Sequence, residues 1–145
     1  MTTKAGQILG VPWTKFKSWL GYWILVAAGL IVLVFLVTTT WIGIDVRERC
    51  LVAKNRYAGD CVEAMIQLVD DDSNSFAERN GSIWALGQMG DARAKAVLEK
   101  YYTGNIPNRE PYDAGISQYE LKKAVALVNG GFNAIHFVWK WWSLE

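Results

Sequence analysis

Residues 19–42 read WLGYWILVAAGLIVLVFLVTTTWI, about 24 consecutive positions without a charged side chain. Coiled as a helix at roughly 1.5 Å per residue, the run is about 36 Å long, enough to cross a hydrocarbon core with some tilt. Aromatic residues stand at both ends, Trp19, Tyr22 and Trp23 on one side and Trp41 on the other, where amphipathic rings favour the headgroup layer. A cleaved signal peptide has a shorter apolar core, about 7–15 residues, followed by small residues at the exit. This run instead ends in Thr38, Thr39, Thr40 and Trp41. A buried soluble helix of this composition needs a larger core around it than a chain of 145 residues supplies. The stretch therefore predicts a retained transmembrane helix. Gly21, Ala28 and Gly29 put small side chains on a partly shared face, but their spacing is not that of a G-x-x-x-G dimer motif. No ionisable residue lies in the run to serve a proton relay or an ion site.

Charge divides at this helix. Lys4, Lys15 and Lys17 precede it without any acid, whereas the other twelve Lys and Arg and all fourteen Asp and Glu follow it, giving +3 before and −2 after. A short basic leader favours the cytoplasmic side. The expected organisation is a cytosolic leader over residues 1–18, poorly ordered and resting on the membrane surface, a transmembrane helix over 19–44, and an exported domain over 45–145. The orientation is that of a single-pass protein of a bacterial inner membrane with its C-terminal domain in the periplasm. The exported part is mildly acidic and has no Lys/Arg tract, so it lacks the electrostatic footprint of a nucleic-acid binder. About 100 residues outside the membrane allow one small core.

Beyond the apolar run the pattern is helical throughout. Residues 45–57 place Val46, Cys50, Ala53 and Tyr57 on one face, ending at Gly59. Asp60 is positioned to cap a second helix with the stripe Val62, Met65, Ile66 and Val69. Ser75 with Glu78 is a capping box opening a helix through Ile83, Trp84 and Leu86 to Gly90. Asp91 restarts the pattern with Ala94, Val97, Leu98 and Tyr101, and Gly104 is the expected stop. Residues 105–115, with Pro107 and Pro111, read as a loop. Ser117 with Glu120 is a second box, for a helix through Leu121, Val125 and Val128 to Gly130 and Gly131. No stretch alternates as a strand does, so the domain is expected to be all-α.

The punctuation recurs at Gly59-Asp60, Gly90-Asp91 and Gly130-Gly131, about 31 and 41 residues apart, which is the habit of helical-hairpin repeats. Within it, residues 79–102, RNGSIWALGQMGDARAKAVLEKYY, resemble a HEAT-type repeat of the short bacterial kind also seen in phycobilisome lyases. The motif A-L-G-x-x-G-D is carried by Ala85, Leu86, Gly87, Gly90 and Asp91. The match covers one repeat and degenerates on both sides, where Gly59-Asp60 keeps the turn without the A-L-G. The resemblance implies a short α-solenoid of about three helical pairs and a habit of binding other proteins. It does not imply lyase activity, since no chromophore-handling set accompanies it. The residues read independently agree: Ala85 and Gly87 are small enough for paired helices to approach, Gly90 suits a left-handed stop and Asp91 a cap.

The only cysteines, Cys50 and Cys61, fall on the expected exported side. In an oxidising compartment such a pair favours a structural disulfide, with two free thiols as the alternative. Zinc would need two more ligands, and the sole histidine is the distant His136. That histidine has no nucleophile at a matching spacing and reads as a packed residue. Asp70, Asp71 and Asp72 begin like a calcium loop, but Ser75 stands where glycine is required and Gly81 where glutamate is, leaving a solvated helix end. Asn80-Gly81-Ser82 is a glycosylation triplet inside a helix. The end of the chain is the most unusual part. Phe132, Phe137, Trp139, Trp141 and Trp142 crowd about 13 residues, too few to span a bilayer and apolar on several faces. One side is expected to cap the core and the other to meet a partner or the membrane surface. No catalytic, cofactor or metal set emerges. The expected function is a non-catalytic accessory subunit holding a larger inner-membrane partner, with a transiently binding regulator or immunity-type protein as the alternative.

Overall fold

The computed structural model describes residues 13–133. Five α-helices follow in order: α1 Trp13–Lys54, α2 Cys61–Asp70, α3 Phe76–Met89, α4 Lys95–Tyr101, preceded by a 3-10 turn at Ala92–Ala94, and α5 Gln118–Val128. No strand occurs among the described residues. The chain is all-α, with one long apolar N-terminal helix. It divides into two compact units, residues 1–38 and 39–145; the second is called the head below.

In the first unit α1 starts at Trp13, within the expected leader, and residues 1–12 lie outside the described residues. The apolar stretch is bare: Leu25 is 73%, Ile31 70% and Val34 63% exposed, and its most apolar window has no buried residue at all. The core helix of a soluble protein is mostly covered by its neighbours, whereas this window is not. The helix is long and apolar enough to cross a membrane. Thr38 turns its hydroxyl back to donate to the Val34 carbonyl at 2.8 Å, so its polar group is satisfied within the helix.

Sequence pattern places a new helix at residue 45, yet α1 continues unbroken through Gly43 to Lys54. A lone helical glycine costs only about 1 kcal/mol relative to alanine, and no proline intervenes. The stop comes where backbone geometry demands it, at Gly59 with φ 114°, a value that L side chains rarely adopt. Asp60 then caps α2: its carboxylate accepts from the Glu63 N–H at 2.9 Å, and Glu63 reaches back to the Asp60 N–H at 3.2 Å.

The head's core draws on every helix. Val46, Cys50 and Ala53 of α1 are buried with Val62, Met65, Leu68 and Val69 of α2, Ile83, Leu86 and Met89 of α3, Val97 and Leu98 of α4, and Leu121, Ala124 and Val128 of α5. Ile66, expected in the α2 stripe, is half-buried; Leu68 holds the deeper position. Helix α3 lies at the centre, packed chiefly between α2 and α5. Burial extends to its polar positions Arg79, Asn80 and Ser82, so it carries no polar face for a period to reveal. It stops as expected at Gly90, left-handed at φ 61°, whose N–H reaches the Leu86 carbonyl at 3.1 Å. Helix α4 ends at Tyr101, short of Gly104. The Gln118 side chain donates to the Tyr101 carbonyl at 3.1 Å and accepts from the Thr103 N–H at 2.8 Å, tying that end to the start of α5 instead of extending the helix.

Candidate functional site

Three sets of polar residues shape the head. The first joins the two Gly-Asp turns. Arg93 donates to Asp60 at 2.7 Å and pairs with Asp91 at 3.0 Å, so one guanidinium bridges the start of α2 and the turn that follows α3. The Glu63 N–H and Arg93 hold the Asp60 carboxyl below the usual carboxylate range, and the two acids raise Arg93 in return.

The second set surrounds residues 70–72, expected as a solvated helix end. Each acid there meets a side chain from another part of the chain. Asp70 pairs with Lys100 and accepts from the Tyr101 hydroxyl at 3.0 Å; Asp71 accepts from the Tyr57 hydroxyl at 2.7 Å. Asp72 takes Arg79 at 2.7 Å, and this arginine, only 3% exposed, also donates to the Val69 carbonyl at 2.9 Å. The Arg79 guanidinium lies 5.2 Å from the Tyr101 ring centre, a cation–π distance. Lys100 holds Asp70 low, with Tyr101 adding to it, and the Ser73 and Tyr57 contacts hold Asp71 low.

The third set fastens the loop to the core. Asn80 is fully buried. Its amide donates to the Tyr112 and Gly115 carbonyls, both at 2.8 Å, and accepts from the Ser117 N–H at 2.8 Å. Glu110, from the same loop, covers the N-terminus of α5, accepting from the Ser117 hydroxyl at 2.6 Å, the Gln118 N–H at 2.9 Å and the Tyr119 N–H at 3.2 Å. A carboxylate at this position meets both the free N–H groups and the helix dipole. Burial pushes the Glu110 carboxyl up, but these donors outweigh it and leave the group below its ordinary value. Ser117 accepts from the Glu120 N–H as a capping residue, while its own N–H goes to Asn80 and Glu120 turns to Lys123. The expected reciprocal box is therefore only half made. Nothing in the sequence marks Asn80 and Glu110 as fasteners, because their partners lie far away along the chain.

Cys50 and Cys61 are joined as a disulfide with Cα atoms 5.1 Å apart, within the range such bridges require. The bond closes a loop from the end of α1 to the start of α2, across a sequence separation of 11. Chain-entropy arithmetic for such a loop gives about 3 kcal/mol. The double substitution Cys50→Ala with Cys61→Ala should lower the unfolding free energy by about that amount in denaturant titration, and dithiothreitol should do the same to the parent.

Of the motif residues, Ala85 and Leu86 are fully buried. Gly87 faces Ala124 of α5 rather than α4, its partner in the repeat-like stretch: a Cβ there would lie 2.7 Å from the Ala124 Cα. Phe132 is 92% exposed. Phe137, Trp139, Trp141, Trp142 and His136 lie outside the described residues. Among the described residues no group of three His, Cys, Asp or Glu is placed to hold a metal. Open depressions of about 300 and 350 Å³ line the 105–118 loop, but their main polar groups, Glu110 and Ser117, are engaged in capping. They present no nucleophile beside a base.

No family model, no curated protein and no solved structure matches this chain.

The pH dependence follows from the carboxylates. Asp60, Asp70, Asp71, Glu78 and Glu110 all have depressed folded-state pKa values. Their contribution is complete above the unfolded value, near 4, and is lost as pH falls through the lower folded values. The melting temperature should hold steady from pH 8 to about 5 and drop as the pH passes below about 4. A flat profile down to about pH 2 would contradict these contacts.

Proposed function

We propose that the chain is a single-pass, membrane-anchored accessory protein whose helical head binds and steadies a larger protein of a bacterial inner membrane without performing chemistry itself. The observation that carries the reading is α1, whose bare apolar run continues without a break into a disulfide-bridged head. An uncovered helix of this length is stable only in lipid or against other apolar helices. The basic leader argues for a cytoplasmic N-terminus, and with it a periplasmic head in which the Cys50–Cys61 bridge persists.

A short HEAT-like solenoid of helical pairs is part of the proposal. It is supported by the A-L-G-x-x-G-D stretch and by Arg93, which sets the two Gly-Asp turns side by side. Such stacks present an uncapped end that a neighbour completes. Phe132 is exposed near the end of α5 and is available to such a neighbour.

Two measurements test the reading. A reporter fused after Glu145 should be active only in the periplasm; cytoplasmic activity would reverse the topology. Tagged protein drawn from membranes in mild detergent should bring one larger membrane protein in stoichiometric amount. Recovery of the chain alone, from membranes that contain its neighbours at native levels, would sink the subunit reading.

A further inference from the structure

A cleft of about 290 Å³ opens in the head between α1, α2 and α3. From α1 it takes Asp45, Glu48, Arg49 and Val52, which share one face at helical spacing. Leu68 of α2, with Glu78 and Ser82 of α3, completes the wall. The Arg49 guanidinium fills the space that a Cβ on Gly81 would need and lies 5.7 Å from the Trp84 ring centre. A glycine on α3 therefore lets this arginine lie flat as part of the wall.

Two of the three acids are already matched. Asp45 pairs with Arg49 at 3.3 Å, and Glu78 pairs with Arg56 at 2.7 Å. Glu48 is exposed and has no ion pair or hydrogen bond among the described residues. The cleft thus carries one uncompensated negative charge, which favours a cation over an anion. Ser82 is an independent sign of a missing ligand. It is only 2% exposed, yet its hydroxyl makes no hydrogen bond among the described residues. A hydroxyl inside a helix commonly turns back to the carbonyl four residues before it, as Thr38 does. Ser82 does not use the Glu78 carbonyl in this way, so its hydroxyl is left to whatever the cleft holds, and an unpaired buried polar group costs stability that a ligand recovers.

We propose that this cleft receives an arginine side chain of a partner polypeptide, with Glu48 as its counter-ion and the Ser82 hydroxyl as a further acceptor. A guanidinium carries five donors in a planar fork and serves several acceptors at once, whereas an ammonium is a compact point charge. Its alkyl stem finds an apolar wall in Val52 and Leu68. The volume lies at the lower edge of the roughly 300–1,000 Å³ that hold whole small molecules and suits a single inserted side chain. A polypeptide occupant presupposes the protein-binding reading above. A peptide titration nevertheless reads the cleft itself, whether or not a native partner co-purifies.

The probe is acetyl-Gly-Arg-Gly-amide, titrated into the isotope-labelled full chain in detergent micelles and followed by amide NMR signals. The expected result is saturable movement at Glu48, Val52 and Ser82, with a dissociation constant on the order of 1 mM. The same peptide with citrulline, which keeps the shape and loses the charge, should move none of these signals. With lysine instead, binding should be about tenfold weaker. Glu48→Gln should weaken the arginine peptide about tenfold and Ser82→Ala about fivefold. Neither variant should disturb the fold, because Glu48 is exposed and Ser82 gives up no hydrogen bond. The proposal is overturned by the absence of saturable shifts at these residues, by equal binding of the citrulline or lysine peptide, or by full affinity in either variant. Agmatine binding more tightly than the peptide would also overturn it, by assigning the cleft to a free polyamine.

Discussion

Asn80→Ala should lower the unfolding free energy by about 3–4 kcal/mol, one of the two largest single-residue effects in the head. The side chain is fully buried and makes three hydrogen bonds of 2.8 Å, two given to the Tyr112 and Gly115 carbonyls and one taken from the Ser117 N–H. A net hydrogen bond contributes about 1 kcal/mol, and a buried group left without a partner costs about 1–3 kcal/mol more. Alanine removes all three bonds at once and takes this partner from the Tyr112 and Gly115 carbonyls and the Ser117 N–H. Because those groups belong to the loop before α5, the loss should be visible locally as well. Amide exchange over residues 105–117 should accelerate more than exchange in α2. Asn80→Asp should also destabilise, since a carboxylate cannot donate to the two carbonyls. An alanine variant within about 1 kcal/mol of the parent would show that the loop is not held by this residue. The same geometry bears on the Asn80-Gly81-Ser82 triplet, because a sugar on that amide nitrogen would have to displace both carbonyls.

What the sequence makes legible is local. The Ser75–Glu78 box forms as read, with the Ser75 oxygen accepting from the Glu78 N–H at 3.3 Å and Glu78 accepting from the Ser75 N–H at 3.2 Å, since both partners lie within one turn. Asp60 and Gly90 act where a cap and a left-handed stop are expected for the same reason. What pattern reading misses depends on partners brought together only by folding. Ser117 looks like another reciprocal box, but Asn80, 37 positions away, takes its N–H. The acids at 70–72 are a solvent-exposed helix end as read, but nothing in their own stretch shows Lys100, Tyr101, Tyr57 and Arg79 near them. Gly43 lies at a change of composition, and composition does not register that a helix tolerates one glycine where no proline follows.

Gly87→Val should be the most damaging single substitution in α3, at about 4 kcal/mol or more, through backbone crowding rather than lost contacts. A Cβ at this position would lie 2.7 Å from the Ala124 Cα and 2.8 Å from its Cβ. Neither atom can rotate aside, so α3 and α5 must move apart. Because α3 sits between α2 and α5, that movement loosens Ile83 and Leu86 against Leu121, all fully buried. Gly87→Ala separates two opposing terms. Alanine gains up to about 1 kcal/mol in helix propensity, whereas overpacking costs about 1–3 kcal/mol; with the backbone of α5 as the obstacle, the expected sum is a net loss of up to about 2 kcal/mol. Gly29 supplies the contrast: a Cβ added there would meet no heavy atom within 4 Å, and Gly29→Ala should leave the head's unfolding unchanged. A double-mutant cycle isolates the contact. Ala124→Gly removes the opposing Cβ but leaves the Cα, so combined with Gly87→Ala it should recover part of the loss, with a coupling of about 1 kcal/mol. Strict additivity of the two substitutions would mean that the helices do not meet at Gly87, and the placement of α5 against α3 would have to be revised.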